Sequence, residues 1–498
     1  MRRLVRLLPL GSILVGLFIM LSAAGLNAQN IATIPMRPTY SGKDLTHAID
    51  HEEQVSLKLM LKNISRPGTA IGSVVASPSK LNPNYYYNWI RDSALTMAVI
   101  EKLYRQNGPN HAYWGKLLKN YVRFSRRNQL TPNPSGAADG GGLGEPKFNV
   151  NGTAFTGAWG RPQNDGPALR AITLIAFARD LIREGQLRYV HKWLYDGRLP
   201  SQSVIKVDLE YVAHHWSGKC FDLWEEIRGH HFFTLVVSRR AMVEGAQLAQ
   251  ELGDPGAAKY YRQQAAAIAL YLQKFWSPKQ GFLRETIDGG GNRSGLDTAV
   301  ILGVLHGATP DRYLAANNNW VMATAARLIE AFSHLYRINR LHPNSAPAIG
   351  RYPEDVYNGV NDSRGNPWFL TTLAMAQYCF TVRNEFAKSK AIDVTKLNAP
   401  FLQMALSAAG VNDERLHYGF ANVRLYNALE IGLARLGDKF FNTVLQFEGA
   451  NGSLSEEFNR DTGAMQGARD LTWSFAAFIT ATWARRQTAL FTGTPEYP

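Results

Sequence analysis

Cysteine is nearly missing from this chain: Cys220 and Cys379 are the only two among 498 residues. That scarcity excludes a disulfide-dense scaffold and any zinc site made of four cysteines. The pair also lies too far apart in sequence for the close spacing of a zinc finger, and the sequence leaves open whether the two meet as one disulfide. Alternating apolar and polar residues, the mark of half-buried strands, are scarce as well. The formal charge is +14, yet there is no Lys/Arg block; the cations are spread singly along helical stretches. Such a balance describes a cationic soluble surface, and no nucleic-acid partner is expected. The run Asp139-Gly140-Gly141-Gly142-Leu143-Gly144 is not followed by Lys-Ser or Lys-Thr, so it is a loop and not a phosphate cradle. His214-His215 and His230-His231 lack acids at ligand spacing, so no metal is expected. No cofactor is expected either.

What the chain does have is rings. It carries 11 Trp and 21 Tyr, many beside polar residues and glycines, a placement that suits stacking on a flat, hydroxyl-bearing ligand. At the N-terminus, Arg2, Arg3 and Arg6 precede an apolar stretch from Leu7 to Gly25 and small residues at Ala23, Ala24 and Ala28. Residues 1–28 are therefore expected to be a signal peptide, and a membrane enters only if this leader stays uncleaved as an anchor. Either way the protein is exported, to the extracellular space or periplasm. Residues 29–48 are expected to lead into a single catalytic domain over 49–498. No Ser/Thr/Pro-rich linker follows residue 470, so no appended C-terminal module is expected.

Helical patterns dominate the rest. Asp254 and Pro255 form a cap and first-turn pair, after which Tyr261, Ala265, Ile268, Leu272 and Phe275 recur at helical spacing. That helix has one apolar stripe. By contrast, Ala168 to Ile182 is apolar nearly all round. Further helices are expected at Leu95–Leu103, Phe232–Leu248, Val321–Leu335, Phe369–Phe380, Val423–Leu436 and Leu471–Trp483. Buried and one-sided helices together describe an all-α fold with an inner layer wrapped by an outer one.

The chemistry is concentrated in the loops between them. Phe221-Asp222-Leu223-Trp224-Glu225-Glu226 and Leu454-Ser455-Glu456-Glu457-Phe458 place two acidic pairs beside rings, far apart in sequence. Glycoside hydrolysis needs two carboxyl groups, one to protonate the leaving oxygen and one acting from the other face of the sugar. Four more clusters join a ring to an Arg and an acid: Tyr85 to Asp92, Trp159 to Pro167, Gly350 to Asp355, and Ala468 to Trp473. Arg donors and Asp acceptors together can hold vicinal sugar hydroxyls.

These motifs resemble the glucoamylase family of glycoside hydrolases. The likeness runs from about Ile49 to Arg486, carried by Val75 to Ser79, Tyr87 to Ser93, Gly144 to Phe148, Trp159 to Pro167, Asp222 to Glu226, Gly350 to Asp355 and Ala468 to Ser474. The resemblance implies an (α/α)6 barrel with a pocket at one end. It also implies an inverting exo-hydrolase that releases β-glucose from the non-reducing ends of α-1,4-glucans. A monomer is expected. Relatives on this barrel that cleave α-1,6-glucans or trehalose, or an inactive glucan-binding module, are the alternatives. By motif position Glu225 would be the general acid and Glu456 the general base. Arg91, Asp92 and Arg351 would hold the terminal glucose, and Glu226 the next sugar. Tyr85, Trp89, Trp159 and Trp473 would line the walls. Trp224 and a dry pocket would keep Glu225 protonated, while Glu456 would be ionised in a wetter or donor-rich setting. Two features depart from the family pattern: Glu457 stands where Gln is usual, and the turn Asn358 to Gly365 is longer. A second carboxyl beside Glu456 should raise the proton affinity of the pair and shift one limb of the pH profile.

Overall fold

The computed structural model describes residues 39–137, 140–342, 344–411 and 416–492, with side chains as far as 487. The leader, the lead-in up to residue 38, and Asp139 of the glycine run lie outside the described residues. Among the described residues no helix is long and apolar enough to cross a membrane.

Twelve helices build the scaffold: α1 Gly42–Leu61, α2 Ile90–Arg105, α3 His111–Leu130, α4 Asp165–Arg183, α5 Val204–His215, α6 Phe232–Glu251, α7 Pro255–Leu272, α8 Ala299–His306, α9 Asn319–Leu335, α10 Phe369–Ser389, α11 Val423–Phe447 and α12 Thr472–Thr492. The even-numbered helices close a ring. Helix α2 packs on α4, α4 on α6, α6 on α8, α8 on α10, α10 on α12, and α12 returns to α2. Each odd-numbered helix leans on this ring from outside: α1 on α12, α3 on α2, α5 on α4, α7 on α6, α9 on α8 and α11 on α10. An additional helix, Ala399–Ala409, packs on α11. This is an (α/α)6 barrel.

The residues explain the layers. Inner α4 buries Leu169, Ile172, Leu174, Ile175, Phe177 and Leu181, which surround its axis. Outer α7 buries only Ala258, Tyr261, Ala265, Ile268 and Leu272, one stripe of its surface. Complete burial of Ile268 and Leu272 stabilises the fold by about 1.5–3 kcal/mol each. Asp254 caps α7 by accepting from the Ala257 N–H at 3.2 Å. Helix α1 begins at Gly42, within the stretch expected to be only a lead-in.

Short antiparallel pairs sit in the connections. Strand β1 (Tyr87–Trp89) pairs with β2 (Lys147–Asn149), setting Trp89 opposite Lys147. Strand β3 (Cys220–Phe221) pairs with β4 (Arg228–His231), so Asp222 to Ile227 form a hairpin turn. Strand β4 also pairs with β5 (Thr286–Ile287), and β6 (Glu457–Phe458) pairs with β7 (Met465–Gln466). Both cysteines are free and buried, so they form no disulfide. Burial pushes the Cys220 thiol up to about 12, which makes it a small core residue rather than a nucleophile.

The ring positions the site through its helix starts. Trp89 caps α2, Gln163 precedes α4 and Asp165 begins it, β4 leads into α6, Asp297 precedes α8, Trp368 caps α10, and Trp473 lies in the first turn of α12. Unpaired N–H groups at such starts favour negative charge.

Candidate active site

Glu225 stands in the β3–β4 turn with φ of 70°, a left-handed conformation that a residue with a Cβ rarely adopts. Strain of this kind persists only when neighbours enforce it. Here the neighbours are close: a Cβ added to Gly160 would lie 2.6 Å from the Glu225 carbonyl oxygen, so only glycine lets that loop approach. The Glu225 Oε1 accepts from the Trp89 indole N–H at 2.7 Å and from Gln163 Nε2 at 3.0 Å. Its side chain is 18% exposed. The ring that meets this carboxyl is thus Trp89 and not Trp224, as the sequence had led us to expect. Trp224 turns its N–H to Asp297, at 3.0 Å from Oδ1, and packs against Trp368 with ring centroids 5.7 Å apart. Burial pushes Asp297 up to about 7 despite donors from Ala299 and Trp224.

Arg91 binds the start of α4. Its Nη1 donates to Gln163 Oε1 at 2.9 Å and to Asp165 Oδ2 at 3.0 Å, and its Nη2 lies 3.8 Å from Glu225. The guanidinium stands 5.7 Å from the Trp473 ring centroid. Asp92 pairs with Arg91 Nε at 3.5 Å, too far for a hydrogen bond. Consequently Arg91 Nε and Asp92 Oδ2 are buried with no hydrogen-bond partner. Burial raises Asp92 to about 6, with Arg91 pulling it down in part.

Glu456 is fully buried. Its Oε2 accepts from the Ala468 N–H at 3.1 Å and from the Tyr357 hydroxyl at 3.4 Å; Oε1 has no partner. Gly467 is required beside it, because its φ is 72° and a Cβ there would collide with Oε2. Burial raises Glu456 to about 7, opposed by the Tyr85 hydroxyl, the Ala468 N–H and Arg351. Donors reach Oε2 alone and burial outweighs them, whereas the sequence reading predicts a wetter or donor-rich setting that keeps the group ionised. Glu457 is buried too, its Oε2 taking Asn366 Nδ2 at 2.8 Å while Oε1 has no partner. Burial, then the charge of Glu456, hold Glu457 well above the usual carboxylate range. The turn Asn358–Gly365 packs on this hairpin, with Gly359 against Gly467.

One short segment joins the two carboxyls. Tyr85 and Trp89 have ring centroids 5.3 Å apart; Trp89 holds Glu225, and the Tyr85 hydroxyl lies 3.2 Å from that of Tyr357, which reaches Glu456. Trp159 meets the Trp89 ring edge-on at 5.9 Å. Arg351 closes the far wall. It donates to Asp355 through Nε at 2.8 Å and Nη2 at 2.7 Å, and to Glu226 Oε1 at 2.8 Å. Tyr352 and Arg293 bind the other oxygen of Glu226. Burial would raise Glu226, but Arg351 and Arg293 outweigh it and hold the group below its ordinary value. Sequence reasoning assigned no role to Gln163, Tyr357 or Asp297. Gln163 lies within the Trp159–Pro167 motif; Tyr357 has no signal beyond its proximity to the long turn. Among the described residues no group of three His, Cys, Asp or Glu side chains could hold a metal.

Comparison with known proteins accords with this geometry. The model of glycosyl hydrolases family 15 matches residues 54–483. Glucoamylase 1 of Rhizopus oryzae is 38% identical over 441 residues, covering 88% of this chain and 70% of the relative. The solved glucoamylase of Saccharomycopsis fibuligera superposes with a TM-score of 0.81 at 33% identity, covering 92% of this chain and 99% of that one. The family 15 glucoamylase of Hypocrea jecorina gives 0.82 at 32% identity, covering 91% and 75%. With most of its length matched by the family and its paired carboxyls held in hairpins between the barrel helices, this chain belongs to glycosyl hydrolases family 15.

Proposed function

We propose that the chain is an exo-acting glucan 1,4-α-glucosidase that releases glucose from non-reducing ends of α-1,4-glucans with inversion, Glu225 as general acid and Glu456 as general base. One observation carries this reading: the Tyr85–Trp89 segment braces two carboxyl groups, each with one oxygen engaged and one left over. At Glu225 both side-chain donors use Oε1, so the acidic proton belongs on Oε2, the oxygen that would face the leaving group. At Glu456 the donors use Oε2, so Oε1 is the oxygen that would take a proton from the attacking water. An inverting pair needs room for that water between base and anomeric carbon. As Glu225 loses its proton, Trp89 and Gln163 gain a charged acceptor, a stabilisation that grows toward the transition state. Arg91 Nε and Asp92 Oδ2, an ion pair in which neither atom makes a hydrogen bond, offer a donor and an acceptor to the hydroxyls of the terminal glucose. Tyr85, Trp159 and Trp473 supply walls for its apolar faces, and Glu226, fixed by Arg351, faces the next sugar. No nucleic acid is involved. The enzyme works outside the cytoplasm, a reading supported by Arg2, Arg3, Arg6 and the apolar Leu7–Gly25. Within this reading it works as a monomer.

Proton NMR of the protein with maltotetraose, taken before mutarotation, tests this. Glucose appearing as the β-anomer is the expected result. The α-anomer would remove Glu456 from its role. No turnover of maltotetraose, with turnover of isomaltose or trehalose, would move the activity to another linkage.

A further inference from the structure

Lys147 is 2% exposed, an unusual place for an ammonium. Its position in β2 sets it opposite Trp89. Its Nζ stands 3.4 Å from the Trp159 ring centroid, 4.2 Å from Tyr87, 4.3 Å from Phe155 and 4.5 Å from Trp89. The four rings also touch in a circuit. Tyr87 meets Trp89 at 6.1 Å and Phe155 at 5.2 Å, while Trp159 meets Trp89 at 5.9 Å and Phe155 at 5.8 Å. They form a circuit of rings around one cation. Lys147 Nζ makes no hydrogen bond or ion pair with the described residues, so the ring faces take the place of a counter-ion.

An aliphatic side chain would fill such a box without the cost of burying a charge. What an ammonium adds is charge beside the acid and a hold on the ring that positions it. Trp89 is a wall of the box and also donates to Glu225 at 2.7 Å. We propose that Lys147 is a positioning residue for the acid: its caged ammonium fixes the Trp89 indole that orients Glu225, and its charge favours the carboxylate formed there as the proton leaves. This rests on Glu225 being the general acid.

The surroundings support it. Burial lowers Lys147 to about 8; Glu225 acts in the opposite sense, and Arg161 adds to the lowering. Arg161 is itself paired with Glu145 at 2.9 Å, which leaves Glu225 as the acid whose field acts on Lys147. The ammonium therefore has a proton that it can lose in mildly alkaline solution, and the box would then lose its cation.

The test compares Lys147→Met and Lys147→Arg with the parent protein. It reads kcat and KM on maltotriose, and tryptophan fluorescence of the substrate-free protein from about pH 6 to about pH 10. Lys147→Met is expected to lose about 10–100-fold in kcat with KM within about twofold, because the contact matters as charge develops. Lys147→Arg, which keeps the charge and does not titrate, should recover most of that loss. The parent should show a fluorescence transition near pH 8 that both variants lack. Unchanged kcat in a folded Lys147→Met, or a loss confined to KM, would overturn the proposal. If Lys147→Met does not fold, fluorescence decides: a transition that persists in Lys147→Arg overturns it. A parent protein that shows the transition but cleaves no α-glucan would refute the glucosidase reading and the catalytic half of this proposal, while the caged cation would stand.

Discussion

The two carboxyls are held in opposite ways. Glu225 is partly exposed, sits on a left-handed residue and is gripped by side chains, Trp89 and Gln163, from two other loops. Glu456 is sealed, gripped on one side by the backbone of its own hairpin at Ala468, and has a second buried carboxyl as its neighbour. The acid must meet a leaving group that varies in length, so its setting is open toward the substrate and adjustable through side chains. The base needs only to hold a water, and it can be walled in. Burial then works on the two halves differently: on the base side it raises Glu456 and Glu457 together, whereas on the acid side it lowers the cation of Lys147, against the field of Glu225.

The sharpest way to break the comparison is to remove each carboxyl. Glu225→Gln and Glu456→Gln should each lower kcat by about 10²–10⁴-fold, the usual worth of a positioned proton-transfer group. Maltotriose binding, read by intrinsic fluorescence, should survive in both. The two should differ with a substrate whose leaving group needs no protonation, such as β-inverting hydrolysis of α-glucosyl fluoride: Glu225→Gln should regain much of its rate and Glu456→Gln should not. Equal behaviour of the two would mean that the roles are not divided as described.

A smaller effect tests the side-chain grip itself. Trp89→Phe keeps a ring in place and deletes the N–H at Glu225. A hydrogen bond to a charged group is worth about 1.5–3 kcal/mol, which corresponds to about 10–100-fold in kcat. The expected loss falls on kcat, with KM nearly constant, because the bond strengthens as Glu225 ionises. A change in KM alone would make Trp89 only a wall for the sugar.

How much of this was legible in the sequence follows the same division between chemistry and packing. Glu225, Glu456, Arg91 and Arg351 stood out because charged residues beside rings are rare in a helical chain. Helices α4, α6 and α10 were readable from apolar residues covering most of their surface, and α7 from its Asp-Pro start. Helix α8 was not, since Ala299 to His306 is a short apolar run that periodicity cannot tell from a buried strand. Helix α3 was hidden by Lys116, Lys119, Arg123, Arg126 and Arg127, although Leu117, Leu118, Tyr121 and Val122 are buried on its other side. The neighbour of Glu225 in sequence, Trp224, was a poor guide to its neighbour in space, Trp89. In a turn with a left-handed residue, consecutive side chains diverge, and only the tertiary fold decides which ring meets the carboxyl. The box around Lys147 draws on three separate segments, so no local pattern reveals it.

The smallest expected effect sharpens the base side. Glu456 is raised chiefly by burial, and Glu457 by burial and then by the charge of Glu456. Two neighbouring carboxyls that both resist ionisation carry one charge between them before they carry two. A neutral Gln at position 457 leaves that one charge to Glu456, so Glu457→Gln should move the acid limb of kcat/KM less than two adjacent acids suggest from sequence. Stability should respond instead. In the unfolded chain a Glu titrates near ~4.3, whereas folded Glu457 keeps its proton well above that. Between those two values the native state binds more protons than the unfolded state, so stability falls as pH rises. Glu457→Gln abolishes that loss. Thermal unfolding should show the two proteins alike near about pH 4 and the variant melting a few degrees higher near about pH 7, since ~1 kcal/mol moves Tm by ~2–4 °C or less in a chain of this size. An acid limb displaced by a full unit in Glu457→Gln, with no gain in Tm at neutral pH, would mean that Glu457 is charged in the working enzyme, and the sealed base would have to find a donor for it.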